Sequence, residues 1–254
     1  HVLVFDDVTE VVKAQRDAAW GEVSRRLAHE IKNPLTPIQL SAERLRRKYL
    51  DKMPAEDGVV LDRATHTIVQ QVEAMKAMVN DFSDYAKPTQ LQLKPLQVDE
   101  FLAEIVALYE GGTQNVSLQS GAGELMIKAD PVRLRQVLHN LLKNAVEASG
   151  DAGDIVVSSR IGEEEGDDFV EIAVSDNGPG FDPEIIGQVF EPYITSKTRG
   201  TGLGLAIVQR IVVEHGGAIE AENTADGGRV ALRLPAIADD PAAETAAEEQ
   251  GESL

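Results

Sequence analysis

A histidine stands beside an acid and one helical turn before an amide in His29-Glu30-Ile31-Lys32-Asn33-Pro34. On a helix, residues four apart share a face, so His29 and Asn33 would present an imidazole and a carboxamide together. Glu30 can hydrogen-bond one ring nitrogen and leave the other as a nucleophile. Pro34 and Pro37 each remove a backbone hydrogen bond, which predicts a bend just past the histidine.

Three further clusters suit nucleotide chemistry, each with an ordinary structural explanation beside it. Asn140 and Asn144 flank Lys143 one turn apart, offering two carboxamide oxygens to a hard cation such as Mg²⁺ and an ammonium to phosphate. Two solvated helix amides would read the same way. Asp176-Asn177-Gly178-Pro179-Gly180 follows an alternating strand directly. There the acid can accept a hydrogen bond from an adenine amino group while Gly178 and Gly180 let backbone approach the base. Asp-Asn-Gly is also common turn chemistry. Gly200-Thr201-Gly202-Leu203-Gly204 opens a helix whose backbone amides can face a polyphosphate. It lacks the Gly-Lys-Ser/Thr ending of a P-loop and follows no strand, which disfavours P-loop and dinucleotide-binding units. Lys197 and Arg199, between the two glycine clusters, can reach phosphates.

These residues need scaffolds of two kinds. From about Thr9, Val12, Ala19, Val23, Leu27, Ile31, Leu35, Ile38 and Leu45 recur at helical spacings. Asp51–Gly58 interrupts that stripe. Val60, Ala64, Ile68, Val72, Met75, Val79 and Phe82 then form a second one, ending before Lys87-Pro88. Two long helices and a short turn make a helical hairpin, and its stripes call for a second hairpin in a four-helix bundle, hence a homodimer, with packing against the next domain as the alternative. After Pro88 the pattern becomes mixed. Asp99 is the expected cap of a helix through Tyr109, and Asp130-Pro131 opens another to about Ser149. Strands are expected at Leu125–Ala129, Ile155–Ile161, Phe169–Ser175, Ala218–Ala221 and Val230–Leu234, with a helix over Leu203–His215. The fold class is α+β: the hairpin followed by a two-layer α/β sandwich.

Composition narrows the function. Cysteine is absent, which removes disulfides, thiolate metal sites and cysteine nucleophiles. The net charge of −19 opposes nucleic-acid phosphates, so no nucleic-acid partner is expected. Part of that charge lies in Ala236–Leu254, with acids at 239, 240, 244, 248, 249 and 252 and no base; this tail is expected to be disordered. No run approaches the roughly 18 apolar residues of a membrane span. His1–Asp7 reads as a last strand of something upstream.

Individually modest, the clusters are specific in their order. His-Glu-x-x-Asn-Pro, Asn-x-x-x-Asn, Asp-x-Gly-x-Gly, Phe-Glu-Pro (Phe190–Pro192) and Gly-x-Gly-x-Gly together resemble the sensor histidine kinases of two-component signalling. The resemblance covers about Thr9–Pro235. His29–Arg47 is most similar to the nitrogen-regulation sensor kinases of the NtrY type.

The resemblance implies residues 1–16 as the remnant of a PAS-like sensing domain and linker, and 17–88 as the dimerisation and phosphotransfer hairpin. Residues 89–235 would be an ATP-binding domain of the histidine-kinase and Hsp90 type, and 236–254 the acidic tail. It implies autophosphorylation of His29 from ATP and Mg²⁺, with Glu30 polarising the imidazole. Transfer to an aspartate of a receiver domain would follow, in a regulator of the NtrC kind. Asn33 would hold water for dephosphorylating that regulator, and a phosphatase-biased module with little autokinase activity is the alternative. Asn144 would ligate Mg²⁺ with Asn140 beside it, Asp176 would read adenine, and Gly200, Thr201, Gly202, Leu203 and Gly204 would pack a lid against the triphosphate. Arg25, Arg26, Lys32, Arg44, Arg46, Arg47 and Lys48 would dock the acidic receiver, a solvated basic face being the plainer alternative. The fragment would be the cytoplasmic portion of a bacterial inner-membrane sensor whose missing upstream segment carries the spans. Two positions depart from the family pattern: Glu147 stands one turn past Asn144 where many members carry a base, and Arg229 follows Gly227-Gly228.

Overall fold

The computed structural model describes residues 9–86, 91–109, 114–150, 153–164, 167–197 and 200–237; the side chains of 9–26, 29, 84–86, 164 and 167 fall outside that description. The expected strand at His1–Asp7, Arg199 and the tail beyond Ile237 are also outside it. Contacts divide the chain into two compact units. One comprises the helical pair with Lys197 and Gly200–Leu203, and the other runs from Leu91 to Ser196 and resumes at Gly204.

In the first unit, α1 (Thr9–Tyr49) and α2 (Ala55–Ala86) are joined through a 3₁₀ turn at Leu50–Lys52. α1 runs through Pro34 and Pro37. The helices meet along rows spaced by seven: Ala28, Leu35 and Ala42 on α1, and Gly58, Thr65, Val72 and Val79 on α2, all buried. Seven-residue spacing keeps one face on its partner over many turns. Gly58 therefore belongs to the helix interior rather than the interruption, its N–H bonding the Pro54 carbonyl at 2.8 Å. Across the pair, Arg46 Nε donates to Asp62 Oδ1 (2.6 Å) and Lys76 Nζ to Gln39 Oε1 (2.7 Å).

The second unit is a two-layer sandwich. Its strands are β1 (Lys94–Gln97), β2 (Asn115–Gln119), β3 (Met126–Ala129), β4 (Asp154–Glu164), β5 (Asp167–Asp176), β6 (Ala218–Asn223) and β7 (Gly228–Ile237). They run in the order β1-β3-β7-β5-β4-β2, with β6 also on β7. Every pairing is antiparallel except β2 with β4. α3 (Val98–Ala107) packs on β2 and β4, α4 (Pro131–Ser149) on β4 and β5, and α5 (Gly204–Glu214) on β6 and β7. Leu138, Leu142, Ile155, Ile172, Val208 and Leu232 fill the space between layers and are fully buried.

Two caps decide where helices begin. Asp130 caps α4 as expected, its Oδ1 accepting the N–H groups of Val132 (3.0 Å) and Arg133 (3.2 Å), with Pro131 next. Its own N–H is held by Nε2 of buried His215 (3.0 Å), whose Nδ1 faces the Ile211 carbonyl (2.7 Å). The α3 cap is not Asp99 but Gln97, whose side chain accepts from Glu100 N. Asp99 is drawn away by the Gly123 N–H (3.0 Å) and by the hydroxyl of buried Ser159. β1 and β2 were not expected, and β7 continues two residues past Pro235.

Candidate nucleotide and phosphotransfer sites

Within the hairpin unit, His29 lies on α1, with its side chain outside the described residues. Glu30 and Asn33 are exposed on that helix, Asn33 one turn beyond His29. The same unit contains Lys197 and the first part of the glycine loop. Lys197 is exposed, and its carbonyl accepts the Gly200 N–H at 3.1 Å. Thr201 donates its hydroxyl hydrogen to Asp81 Oδ2 of α2 (2.9 Å) and accepts the Leu203 N–H (3.3 Å). Gly202 takes φ +65°, a conformation glycine adopts without strain.

Within the sandwich, the Asp176 loop is built from the end of β5. Val170, Ile172 and Val174 point into the core, which fixes the strand and delivers Asp176 at its C-terminal end, half-buried. Its Oδ1 accepts the N–H of Gly178 (2.9 Å) and lies 3.4 Å from that of Gly228 on β7. Oδ2 accepts no hydrogen bond from a described residue and is the oxygen available to a ligand donor. Asn177 ties the loop to β4: its N–H donates to the Asp154 carbonyl (3.2 Å) and its Oδ1 accepts the Asp154 N–H (3.1 Å). Gly227 presses on the loop so closely that a Cβ there would stand 2.1 Å from the Asp176 carbonyl oxygen.

Asn140 and Asn144 are half-buried and one turn apart on α4, with Lys143 exposed between them. Their oxygens are the hard neutral donors that Mg²⁺ accepts alongside phosphates. Among the described residues no group of three or more His, Asp or Glu could hold a metal ion. The residues present thus fit a cation shared with a polyphosphate. Gly204 opens α5, and a Cβ on it would lie 3.9 Å from Asn144 Nδ2, so this helix start and the amide pair are neighbours. Asp176, Gly178, Gly180, Asn140, Lys143, Asn144 and Gly204 therefore share one unit, while His29, Glu30, Asn33, Lys197, Gly200, Thr201, Gly202 and Leu203 belong to the other.

Arg229 turns out to serve the opposite face of the sheet. Glu171 there is 2% exposed and ringed by guanidinium groups: Arg160 bonds both oxygens (2.6 and 2.8 Å), Arg229 takes Oε1 (2.6 Å) and Arg233 Oε2 (3.3 Å). The Arg160 bonds, with those of Arg229 and Arg233, outweigh burial and hold the Glu171 carboxyl down at about 2. Arg229 also reaches Glu222 (2.5 Å). Sequence reasoning missed Asn223, which bonds Phe181; nothing in its surrounding residues announces a partner 42 positions away.

Two family descriptions match the chain. Residues 19–91 match the His Kinase A (phospho-acceptor) domain, and residues 129–237 the histidine kinase-, DNA gyrase B- and HSP90-like ATPase. The nitrogen regulation protein NtrY of Azorhizobium caulinodans is 40% identical over 252 residues, covering 96% of this chain and 32% of that protein. The sensor histidine kinase ZraS of Salmonella typhi is 34% identical over 231 residues, 89% of this chain and 48% of that one. The chain thus spans a third to a half of the length of these relatives. Among solved structures, full-length ShkA in complex with AMPPNP superposes with a TM-score of 0.65 at 26% identity, over 85% of this chain and 46% of that one. Histidine kinase ThkA in complex with the response regulator TrrA gives 0.62 at 28% identity, over 91% and 68%.

Proposed function

The chain belongs to the sensor histidine kinases of two-component signalling, and on that footing we propose that it binds ATP with Mg²⁺, phosphorylates its own His29 and relays the phosphoryl group to an aspartate of a receiver domain. The carrying observation is the Asp176 loop, whose carboxylate is fixed through one oxygen by backbone N–H groups while the other remains available. A carboxylate held this way meets an adenine amino group without first losing a competing partner. Asn140 and Asn144 would hold Mg²⁺, which supplies neutralisation of phosphate charge when bound. Lys143, Lys197 and Arg199 would contact phosphates, and Gly200–Gly204 would pack against them with the N–H groups of Thr201, Gly202 and Gly204 facing the charge.

In the transfer step a ring nitrogen of His29 forms a bond to the γ-phosphorus as the bond from phosphorus to the bridging oxygen breaks, and ADP leaves. Positioning and charge neutralisation supply most of the acceleration in such transfers. Glu30 would accept the other ring N–H and stabilise the imidazolium charge that develops. Exposed Asn33, one turn away, suits orienting water against a phosphorylated aspartate, which supports a regulator-phosphatase activity as well.

A homodimer is the working unit in this reading. Ile31, Ile38 and Leu45 on α1 and Ile68 and Met75 on α2 are 42–48% exposed on seven-spaced rows, and Pro37, Ile38, Ser41, Ala42, Leu45 and Ile68 line a groove between the helices. A second hairpin would fill it. Exposed Arg44 and Arg47 with Lys32 give α1 a basic surface for the acidic site of a receiver, of the NtrC kind by resemblance. Residues 17–88 and 89–235 are the two domains we assign, after a linker at 1–16 and before a tail at 236–254. No helix among the described residues is long and apolar enough to cross a membrane. The reading places the chain at the cytoplasmic face, where ATP is, as part of a longer membrane sensor.

The test is incubation with γ-labelled ATP and Mg²⁺, comparing the native chain with His29→Ala. Acid-labile, base-stable label should appear on the native chain and vanish in the variant with ATP affinity unchanged. ATP binding without label would instead point to the phosphatase-biased reading. That reading is checked by hydrolysis of a phosphorylated receiver and its loss in Asn33→Ala.

A further inference from the structure

The Asp176 loop is clamped at its far end by a residue that no motif includes. Asn223, the last residue of β6, faces Phe181 with its whole carboxamide. Its Oδ1 accepts the Phe181 N–H at 2.6 Å, and its Nδ2 donates to the Phe181 carbonyl at 2.8 Å. This reproduces a rung of β-ladder between a side chain and a backbone 42 residues apart. Gly180 makes room for it: at φ +75° and without a side chain, it lies where a Cβ would approach Asn223 Oδ1 to 2.5 Å. Directly after Asn223 the chain closes a tight turn. The Thr224 N–H donates to the Gly227 carbonyl (2.8 Å), and Thr224 Oγ1 accepts the Gly227 N–H (3.2 Å). That turn delivers Gly227 and Gly228 onto Asp176. The loop from Asp176 to Phe181 is thus pinned at its start through Asn177 and Asp154 and at its end through Asn223.

We propose that Asn223 is a positioning residue for purine selection, acting through Phe181 and the β6–β7 turn to set where the Asp176 carboxylate stands. The inference rests on the reading of Asp176 as the acceptor of the adenine amino group. Without the clamp, the loop keeps its covalent course but loses the fixed end that opposes Asn177. Asp176 then spreads over positions, and the advantage of a purine bearing a 6-amino group falls. Triphosphate contacts, made elsewhere, are unaffected.

The experiment compares ADP with inosine diphosphate, which carries a 6-oxo group, by titration calorimetry on the whole chain. The native protein should favour ADP by about tenfold or more, the effect of one hydrogen bond to a charged acceptor. Asp176→Asn should abolish that preference. Asn223→Ala should reduce it to about threefold or less, mainly by weakening ADP. Asn223→Asp keeps the acceptor but sets a second oxygen against the Phe181 carbonyl, and should shift the ratio in the same direction by less. A purely structural Asn223 would lower the melting temperature and the active fraction while leaving the ADP/IDP ratio at its native value, and that result overturns the proposal. If Asn223→Ala does not fold, the ratio in Asn223→Asp decides alone. A native chain without a preference, or a preference that survives Asp176→Asn, removes the adenine reading and the inference with it.

Discussion

The hairpin and the sandwich solve the burial problem differently. In the sandwich the layers close on themselves, and Leu138, Leu142, Ile155, Ile172 and Leu232 are sealed from water within one chain. Even its most deeply buried acid, Glu171, is satisfied in cis by three arginines. The hairpin completes only one of its two apolar rows. Ala28, Leu35 and Ala42 meet α2, while Ile38 and Leu45 stay 47% exposed and Met75 48% exposed. A pair of helices has too little inner surface to bury two stripes, and in the proposed dimer a second copy covers the other one. One unit is therefore finished alone and can be tuned residue by residue, whereas the other carries information in being unfinished.

The largest effect should come from breaking the unfinished side. Each half-exposed Ile or Leu is worth about 1 kcal/mol on further burial. A dimer contains both Ile38 and Leu45 twice. Ile38→Glu with Leu45→Glu should weaken self-association by roughly 10³-fold, read by analytical ultracentrifugation. Amide exchange along α2 should rise as the hairpin loosens. Amide exchange on β5 and β7 should stay at native rates. Equal disturbance of those strands would mean the two units are not independent in the way the contrast requires.

The reciprocal substitution is smaller and confined to the sandwich. Glu171→Ala leaves Arg160, Arg229 and Arg233 without their shared partner. Removing one side of a buried ion pair costs about 3–5 kcal/mol, and the low end applies because these arginines keep access to water. Exchange on β5 and β7 should accelerate while exchange along α2 and self-association hold. Acid sharpens the comparison. The Glu171 carboxyl is held at about 2 against an ordinary 4.5, chiefly by its bonds from Arg160. It contributes stability that is fully present above pH 4.5 and drains away as pH falls toward 2. In that window native and Glu171→Ala melting temperatures should converge.

Much of this was legible in the sequence, for a reason that differs between the units. The helices announced themselves by period, and Asp130-Pro131 by local capping chemistry, because both signals lie within a few residues. β1 and β2, four and five residues long, did not. β1 contains Pro95, and β2 is defined by parallel pairing with β4 across nearly 40 positions. The Asp99 cap failed because Gly123 and Ser159, distant in sequence, compete for the same carboxylate that the helix start would have used. Gly58 read as a breaker because glycine usually is one. Here it sits buried on the seven-spaced row of α2, and tertiary packing overrides propensity. Asp176 could be singled out because its glycines follow it at once, whereas the clamp made by Asn223 has a partner 42 positions away and leaves no local signal.

The smallest of these effects tests whether local capping matters in a unit so well closed. Asp130 is 7% exposed and accepts the N–H groups of Gln92, Val132 and Arg133. Burial pushes its carboxyl up, yet those three donors together with His215 hold it below its ordinary value. Asp130→Ala strands the α4 donors at a buried helix start, a loss of about 1–2 kcal/mol. For a domain of this size that is a fall of roughly 3–8 °C in melting temperature. Asp130→Asn keeps a good capping acceptor and should recover most of the loss at neutral pH. The native chain should show its full advantage over Asp130→Asn only above the ordinary carboxyl range, since the charged form is the one those donors stabilise. The advantage should fade as acid protonates Asp130. An Asp130→Ala chain with an unchanged melting temperature would show that closure of the two layers alone fixes the start of α4, leaving the cap without measurable weight.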